Sequence, residues 1–366
     1  MAVLHMDDFS GYGTNVDLLL AGVYAQAGET NISGFGVSLT ADPDGVSPGR
    51  VLRMNNGYGG GGNYRILRKV LPNGAVAVVG VMLRVWLPVL PTLGRIAPIS
   101  LLDGSANSLY TLTVTSTGAL EIRDGDHNGT VLYTSALPEI TAQGWYHIEW
   151  KAVIDPASGS FEVRVEGLPV AGLVQSEINT GSTSVAQIGN IQDSDNTSAG
   201  HDYFIKDYVI WDASGSDVTD FVGTCILNGH TLTEDVDLNW TPVGEATGIA
   251  ILNRIPPDPD FYIYAPDDPL PAPYQADFSP LPEDVVSVKA VMVRYMAAKN
   301  DGGDASVQSA LVSDPDGTAD VVLGANRNIT IAQTFWSDIY HRDPKTDAPW
   351  LPASLNEANV LFDRTT

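Results

Sequence analysis

The stretch Trp145–Gly167, WYHIEWKAVIDPASGSFEVRVEG, constrains the fold more than any other part of the chain. In its first run Trp145, His147, Glu149 and Lys151 alternate with Tyr146, Ile148, Trp150, Ala152 and Ile154, so the two sets project from opposite faces of an extended strand. Asp155-Pro156-Ala157-Ser158-Gly159-Ser160 then supplies turn residues, because proline fixes φ and glycine admits positive φ. The second run separates Phe161, Val163 and Val165 from Glu162, Arg164 and Glu166. The pattern predicts a hairpin with one oily and one charged side. A sheet of that kind buries its oily side under a second sheet, so the expected architecture is a β-sandwich.

Further alternating runs extend that expectation over the first 211 residues: 32–40, 75–86, 108–115, 119–123, 130–134 and 203–211. Turn-forming stretches separate them, among them Asp42-Pro43-Asp44-Gly45, Leu71-Pro72-Asn73-Gly74 and Thr117-Gly118. No amphipathic helix is expected there, and many short strands at this spacing indicate a sandwich or barrel. Composition agrees: 36 Gly and 23 Pro accompany 44% hydrophobic residues in a chain of 366, enough for real cores punctuated by ordered turns.

From 212 to 253 the chain turns acidic (Thr233-Glu234-Asp235-Val236-Asp237), and a domain boundary is expected in this interval. Residues 254–284 are proline-dense, yet Phe261, Tyr262, Tyr264, Tyr274 and Phe278 interrupt them. A free linker rarely carries so many aromatics, so residues 212–284 are expected to be a connector packed on a domain surface. Strands at 285–297, 306–312, 319–323 and 328–336 predict a second β-rich domain over 285–366, with one short helix near the end, capped by Ser354 with Glu357 three residues on.

The order of the Trp-bearing hairpin, then VRVEGLPV and the closing strand DYFIKDYVIWD, resembles concanavalin A-like jelly rolls of the lectin, glucanase and laminin-G type. The hairpin ALEIRDGDHNGTVLYTS ahead of it fits the same layout. The fold expected is therefore all-β: a concanavalin A-like jelly-roll β-sandwich over 1–211, followed by a smaller C-terminal β-sandwich. The remainder, with DFVGTCIL, VVSVKAVMVRYMAAKNDGG and a DPKTDAPW close, resembles structural proteins of tailed-bacteriophage virions in style. That resemblance implies a non-enzymatic tail fibre, tail-associated protein or capsid decoration, made in the host cytoplasm and carried on the virion. It implies other virion proteins as partners, a homo-oligomer such as a trimer, and a host-surface polysaccharide as ligand for the lectin-like loops. A purely architectural capsid or tail role is the alternative without a ligand.

Charge narrows the partners. At a formal net charge of −25 the long-range field repels nucleic acid and anionic membrane, so neither is expected as a partner. The start, MAVLHMDDFSGYG, shows no basic n-region or long apolar h-region, and no apolar run is long enough to span a bilayer, so neither a secretory signal nor membrane insertion is expected. One cysteine, Cys225, excludes an intrachain disulfide and a cysteine-built zinc site; in its apolar run it reads as a small buried hydrophobe.

Three stretches carry candidate chemistry. Asp124-Gly125-Asp126-His127-Asn128-Gly129 resembles the opening of a calcium loop, with Asp124, Asp126 and Asn128 as oxygen ligands for Ca2+. Ser135 stands where a bidentate Glu would close such a loop, and a tight hairpin turn accounts for the same letters. The stretch 192–202 offers Asp193, Asp195 and Asn196 in the same way. NNGYGGGGNYR (55–65) lacks the Lys-Ser/Thr of a phosphate loop, and its Tyr58 and Tyr64 could stack on a sugar ring. Tyr58, Tyr64, Asp124, Asp126 and Asn128 are thus the expected carbohydrate contacts, and no catalytic residue is assigned. The rival reading is a polysaccharide-degrading glycoside hydrolase using Glu149 and Glu162. The Glu-x-Asp-x-x-Glu string of jelly-roll glucanases is missing, and carboxylates interleaved with Lys151 and Arg164 suit a solvated face of cross-strand pairs.

Overall fold

The computed structural model describes residues 2–10, 12, 24, 26–27, 37–45, 50–54, 65–91, 95–181, 183–192, 202–215, 220–255, 258, 260–266, 271–300, 302–313 and 320–366. Its contacts divide the chain into two compact units, one running to Leu227 and the other from Asn228 to Thr366.

The first unit is a jelly-roll sandwich. One sheet runs in the order Leu168–Ile178, Gly159–Val165, Trp145–Val153, Val78–Trp86, Tyr203–Asp212, Arg50–Met54 and Val37–Ala41, with Ala2–Asp7 as an eighth strand paired to Tyr203–Asp212. The other runs Thr130–Thr134, Leu120–Asp124, Ser108–Val114, Ile96–Leu102, Gln187–Gln192, Arg65–Val70 and Gln26–Ala27. The chain passes back and forth between the sheets, and every pairing in both is antiparallel. No helix occurs among the described residues of this unit.

Alternation explains the core. Ile148, Trp150 and Ala152 are buried beside Val81, Leu83, Val85, Phe161 and Val163. The facing sheet contributes Leu112, Val114, Leu120 and Ile122. Tyr110 meets Phe161 edge-on across the gap at 4.9 Å, and the Tyr203 hydroxyl reaches the Ala97 carbonyl of the opposite sheet. Each large apolar side chain withdrawn from water in this way contributes about 1.5–3 kcal/mol. The predicted turns form as expected: Gly45 and Gly74 take positive φ and close hydrogen bonds to the carbonyls of Asp42 and Leu71.

The second unit is a smaller sandwich. Its main sheet runs Leu232–Asp237, Tyr274–Phe278, Asn359–Arg364, Ser306–Ser313 and Asp320–Leu323, and a ribbon pairs Val291–Ala297 with Thr334–Tyr340. Tyr274, Tyr295, Leu311, Tyr340, Trp350 and Phe362 fill the core, with Tyr295 edge-on to Phe362 at 5.3 Å.

The stretch 212–284, read from sequence as a connector, is shared between the units. Residues 220–227 lie on the jelly roll, whereas Leu232–Asp237 and Tyr274–Phe278 are strands of the second sheet. The acidic run has a local reason. Asp235 accepts hydrogen bonds from the N–H groups of Gly248 and Ile249 and from the Tyr274 hydroxyl, holding the start of a short helix, Gly248–Leu252. Its aromatics divide too: Tyr274 is buried, while Tyr262 and Tyr264 stand exposed. The expected C-terminal helix starts a turn earlier than the Ser354 cap implies, spanning Pro352–Asn356; Ser354 instead bonds back to the Leu351 backbone. Cys225 is half-buried rather than buried.

Candidate functional site

The loop residues expected to bind sugar or metal divide between described and undescribed parts. Tyr58, Tyr64, Asp193, Asp195 and Asn196 lie outside the described residues. Asp124, Asp126 and Asn128 sit in the turn joining Leu120–Asp124 to Thr130–Thr134. There Asp126 Oδ1 accepts from the Asn128 N–H at 2.9 Å, its carbonyl accepts from the Gly129 N–H, and the Asn128 amide meets His127 Nε2. Two oxygens of Asp126 thus already serve the turn. Among the described residues no three His, Cys, Asp or Glu side chains are grouped to hold a metal ion.

The charged side of the Trp145–Val165 hairpin departs from expectation. Read as a solvated face, it is instead the outer face of the eight-stranded sheet, with His147 and Glu149 both buried. The register explains which side chains collect there. Trp145 is paired with Trp86 and Trp86 with Phe204, which in turn pairs with Arg53. One step along, His147 pairs with Arg84 and Arg84 with Lys206. Side chains of successive cross-strand partners share a face, so the first row is Arg53, Phe204, Trp86 and Trp145 and the second is Lys206, Arg84 and His147.

These two rows are partly open: Arg53, Arg84, Trp86 and Trp145 are all only half-buried. Asp42, at the edge, accepts from Trp145 Nε1 at 3.1 Å and from Lys206 Nζ at 2.6 Å. The Lys206 ammonium lies 4.1 Å from the Trp145 ring centre, and the Arg84 guanidinium 5.7 Å from it. Arg84 also pairs with Asp207 at 3.5 Å, and Arg53 with Asp202. The arrangement fixes the Trp145 indole by a hydrogen bond at its edge and two cations over its ring.

The adjoining rows are covered by residues 220–227. Asp220 pairs with Lys151 at 2.6 Å and with Arg164 at 3.7 Å. The Phe221 ring lies 3.7 Å under the Arg164 guanidinium and packs edge-on to Trp211. Glu149 Oε1 accepts from the N–H groups of Val222 at 2.6 Å and Gly223 at 3.3 Å, and its Oε2 is buried without a partner. Farther along, the Leu227 N–H donates to Asp207 Oδ1.

Burial sets the electrostatics. It pushes the Glu149 carboxyl up to about 7, against the opposing pull of the two N–H groups and Arg164. Burial also raises Asp207, offset in part by the Leu227 N–H and by Arg84 and Lys206. The same desolvation lowers His147, which favours its neutral form. Glu162, the partner of Glu149 in the rival hydrolase reading, is half-buried and bonded to Arg164 at 2.8 Å. The carboxyl whose environment matches that of Glu149 is Asp207. Its signal in the sequence is Lys206-Asp207 set inside the otherwise apolar strand YFIKDYVIWD.

No protein-family model matches this chain, and no curated protein matches it. Solved structures do. A cellulose-induced protein, Cip1, matches at a TM-score of 0.45 and 13% identity over 60% of this chain and 100% of its own. A GH131 β-glucanase catalytic domain from Podospora anserina matches at 0.39 and 15% identity over 59% of this chain and 97% of its own. The alginate lyase vAL-1 from Chlorella virus matches at 0.39 and 12% identity over 58% and 100%. The similarity is one of fold. Most of these structures are enzymes, which runs against the expectation of a non-enzymatic protein, and nothing in them points to a tailed-phage virion protein. At these levels the likeness assigns no activity to this chain.

Proposed function

We propose that this chain acts on polysaccharide, and that the sugar lies across the open rows of the outer sheet face. The observation that carries this is the Trp145–Trp86 pair, two half-buried indoles side by side on a rigid sheet with Arg84, Arg53 and Lys206 around them. The apolar C–H side of a pyranose ring desolvates well against an indole, while its hydroxyls need donors and acceptors at the rim. Each cation at the rim is matched by its own carboxylate: Arg53 by Asp202, Lys206 by Asp42 and Arg84 by Asp207. No net positive charge is left to hold a polyanion, and a chain at −25 repels one. A neutral glycan is therefore the substrate class the face favours.

Glycosidic-bond hydrolysis is the reaction this face would support. It requires a carboxylic acid that keeps its proton near neutral pH and a second carboxylate. Glu149 and Asp207 are the two carboxyls here whose surroundings raise them. The test is titration with neutral and uronic-acid oligosaccharides, following tryptophan fluorescence, together with assay of new reducing ends. Trp145→Ala is expected to weaken neutral-glycan binding about tenfold or more, roughly 1.4 kcal/mol, with the fold intact by circular dichroism. Equal binding by wild type and variant, or binding of uronic polymers alone, overturns the reading.

A further inference from the structure

We propose that residues Asp220–Leu227 form a releasable strap over the closed rows of this face, so that the sheet has a half-covered form and a fully open form in which Glu149 and Asp207 face the sugar site. The part about the sugar site rests on the function proposed above; the release of the strap does not.

The way the segment is held distinguishes it from core. It forms no strand, and of its eight residues only Val222 is buried; Ile226 stands 64% exposed. Besides the buried Val222 and the edge-on contact of Phe221 with Trp211, its anchors are polar or cation–π: Asp220 on Lys151 and Arg164, Phe221 beneath Arg164, two N–H groups on Glu149 and one on Asp207. Such contacts hold a segment in register but contribute far less than a buried apolar strand, so local opening costs less than unfolding the sandwich. Beneath it lies a carboxyl with one oxygen buried and unpartnered, which water would solvate once the strap lifted.

Glu149 makes the closed form sensitive to pH. The titratable and charged groups around it are His147 and Lys151 on its own strand, Glu162, Arg164 and Glu166 on the hairpin partner, Arg84 on the neighbouring strand, Asp207 beyond it, and Asp220 on the strap. The covered carboxyl keeps its proton to about pH 7, whereas a solvated one releases it near 4.5. Raising the pH through that interval therefore favours release, by up to two orders of magnitude in the opening equilibrium.

The experiment is amide hydrogen exchange on the whole chain without glycan at about pH 5 and about pH 8, each corrected for intrinsic exchange, in wild type and Glu149→Gln. The expected result is that the wild-type/variant ratio of exchange at Val222 and Gly223 rises at least tenfold between the two pH values, while the amides of Trp145–Val153 keep their protection. Asp220→Asn, which removes an exposed anchor, is expected to speed exchange of the strap at both pH values. The single cysteine, Cys225, lies on the strap, and its rate of modification by a thiol reagent should follow the same order. A constant ratio, strap exchange only together with the Trp145–Val153 strand, or no effect of Asp220→Asn overturns the proposal. Because no sugar is present, failure here leaves the glycan reading to its own test.

Discussion

Glu149 shows how one side chain can be legible as chemistry yet misplaced in space. In the sequence it alternates with apolar neighbours and so reads as solvent-facing, but 73 residues later Val222 closes over it. That burial has a thermodynamic consequence. Below about pH 4.5 the carboxyl is protonated in folded and unfolded chains alike. Between 4.5 and about 7 the unfolded chain loses a proton that the folded chain keeps, so stability falls as pH rises, then levels off. The drop is at most about 3 kcal/mol at about 1.4 kcal/mol per pH unit. Glu149→Gln is expected to remove most of it, leaving the share due to Asp207, as measured by urea unfolding across this range. Gly80 makes a second point at this scale. A Cβ there would lie 2.0 Å from the Trp211 ring, so Gly80→Ala is expected to cost about 2–4 kcal/mol.

Among the elements, runs bounded by turn residues were readable, the fully buried Tyr203–Asp212 included, whereas Ile96–Leu102 was not. Thr130–Thr134 and Trp145–Val153 alternate, and their bounds follow from the pattern. Ile96–Leu102 is buried at every position and carries Pro98, so it offers no period of two and a residue that argues against a strand. The turn at 124–129 was recognisable from its Asp, Asn and Gly, but which glycine matters was not. Gly125 has positive φ in open space, whereas a Cβ on Gly129 would sit 1.7 Å from the Asp124 carbonyl. Gly125→Ala is therefore expected to cost about 1 kcal/mol and Gly129→Ala clearly more, a ranking that thermal unfolding of the two variants checks.

At the scale of the whole molecule, the division after Leu227 matters most. The strap belongs to the jelly roll although it reads as the start of a connector. A fragment ending at Leu227 is expected to melt about 5 °C or more above one ending at Asp212 near pH 5, since the shorter one leaves Arg164 without Asp220 and opens Glu149 to water. Equal melting temperatures would show that the docked strap adds nothing to the stability of the sandwich.

What the sequence determined by itself is the class of fold. Period-two alternation, punctuated by Asp-Pro-Asp-Gly and Pro-Asn-Gly turns, has few outcomes other than layered sheets, because a strand with one oily face has to hide it. What only the tertiary structure decided is the site. Trp145 meets Trp86 and Asp42, Lys206 meets Asp42, and Glu149 meets Val222 across separations of tens to over a hundred residues. Strand order across the sheet sets those meetings, and with them burial, pairing and proton affinity. Local pattern encodes which face a side chain takes, but not which strand will lie beside it or what will cover it.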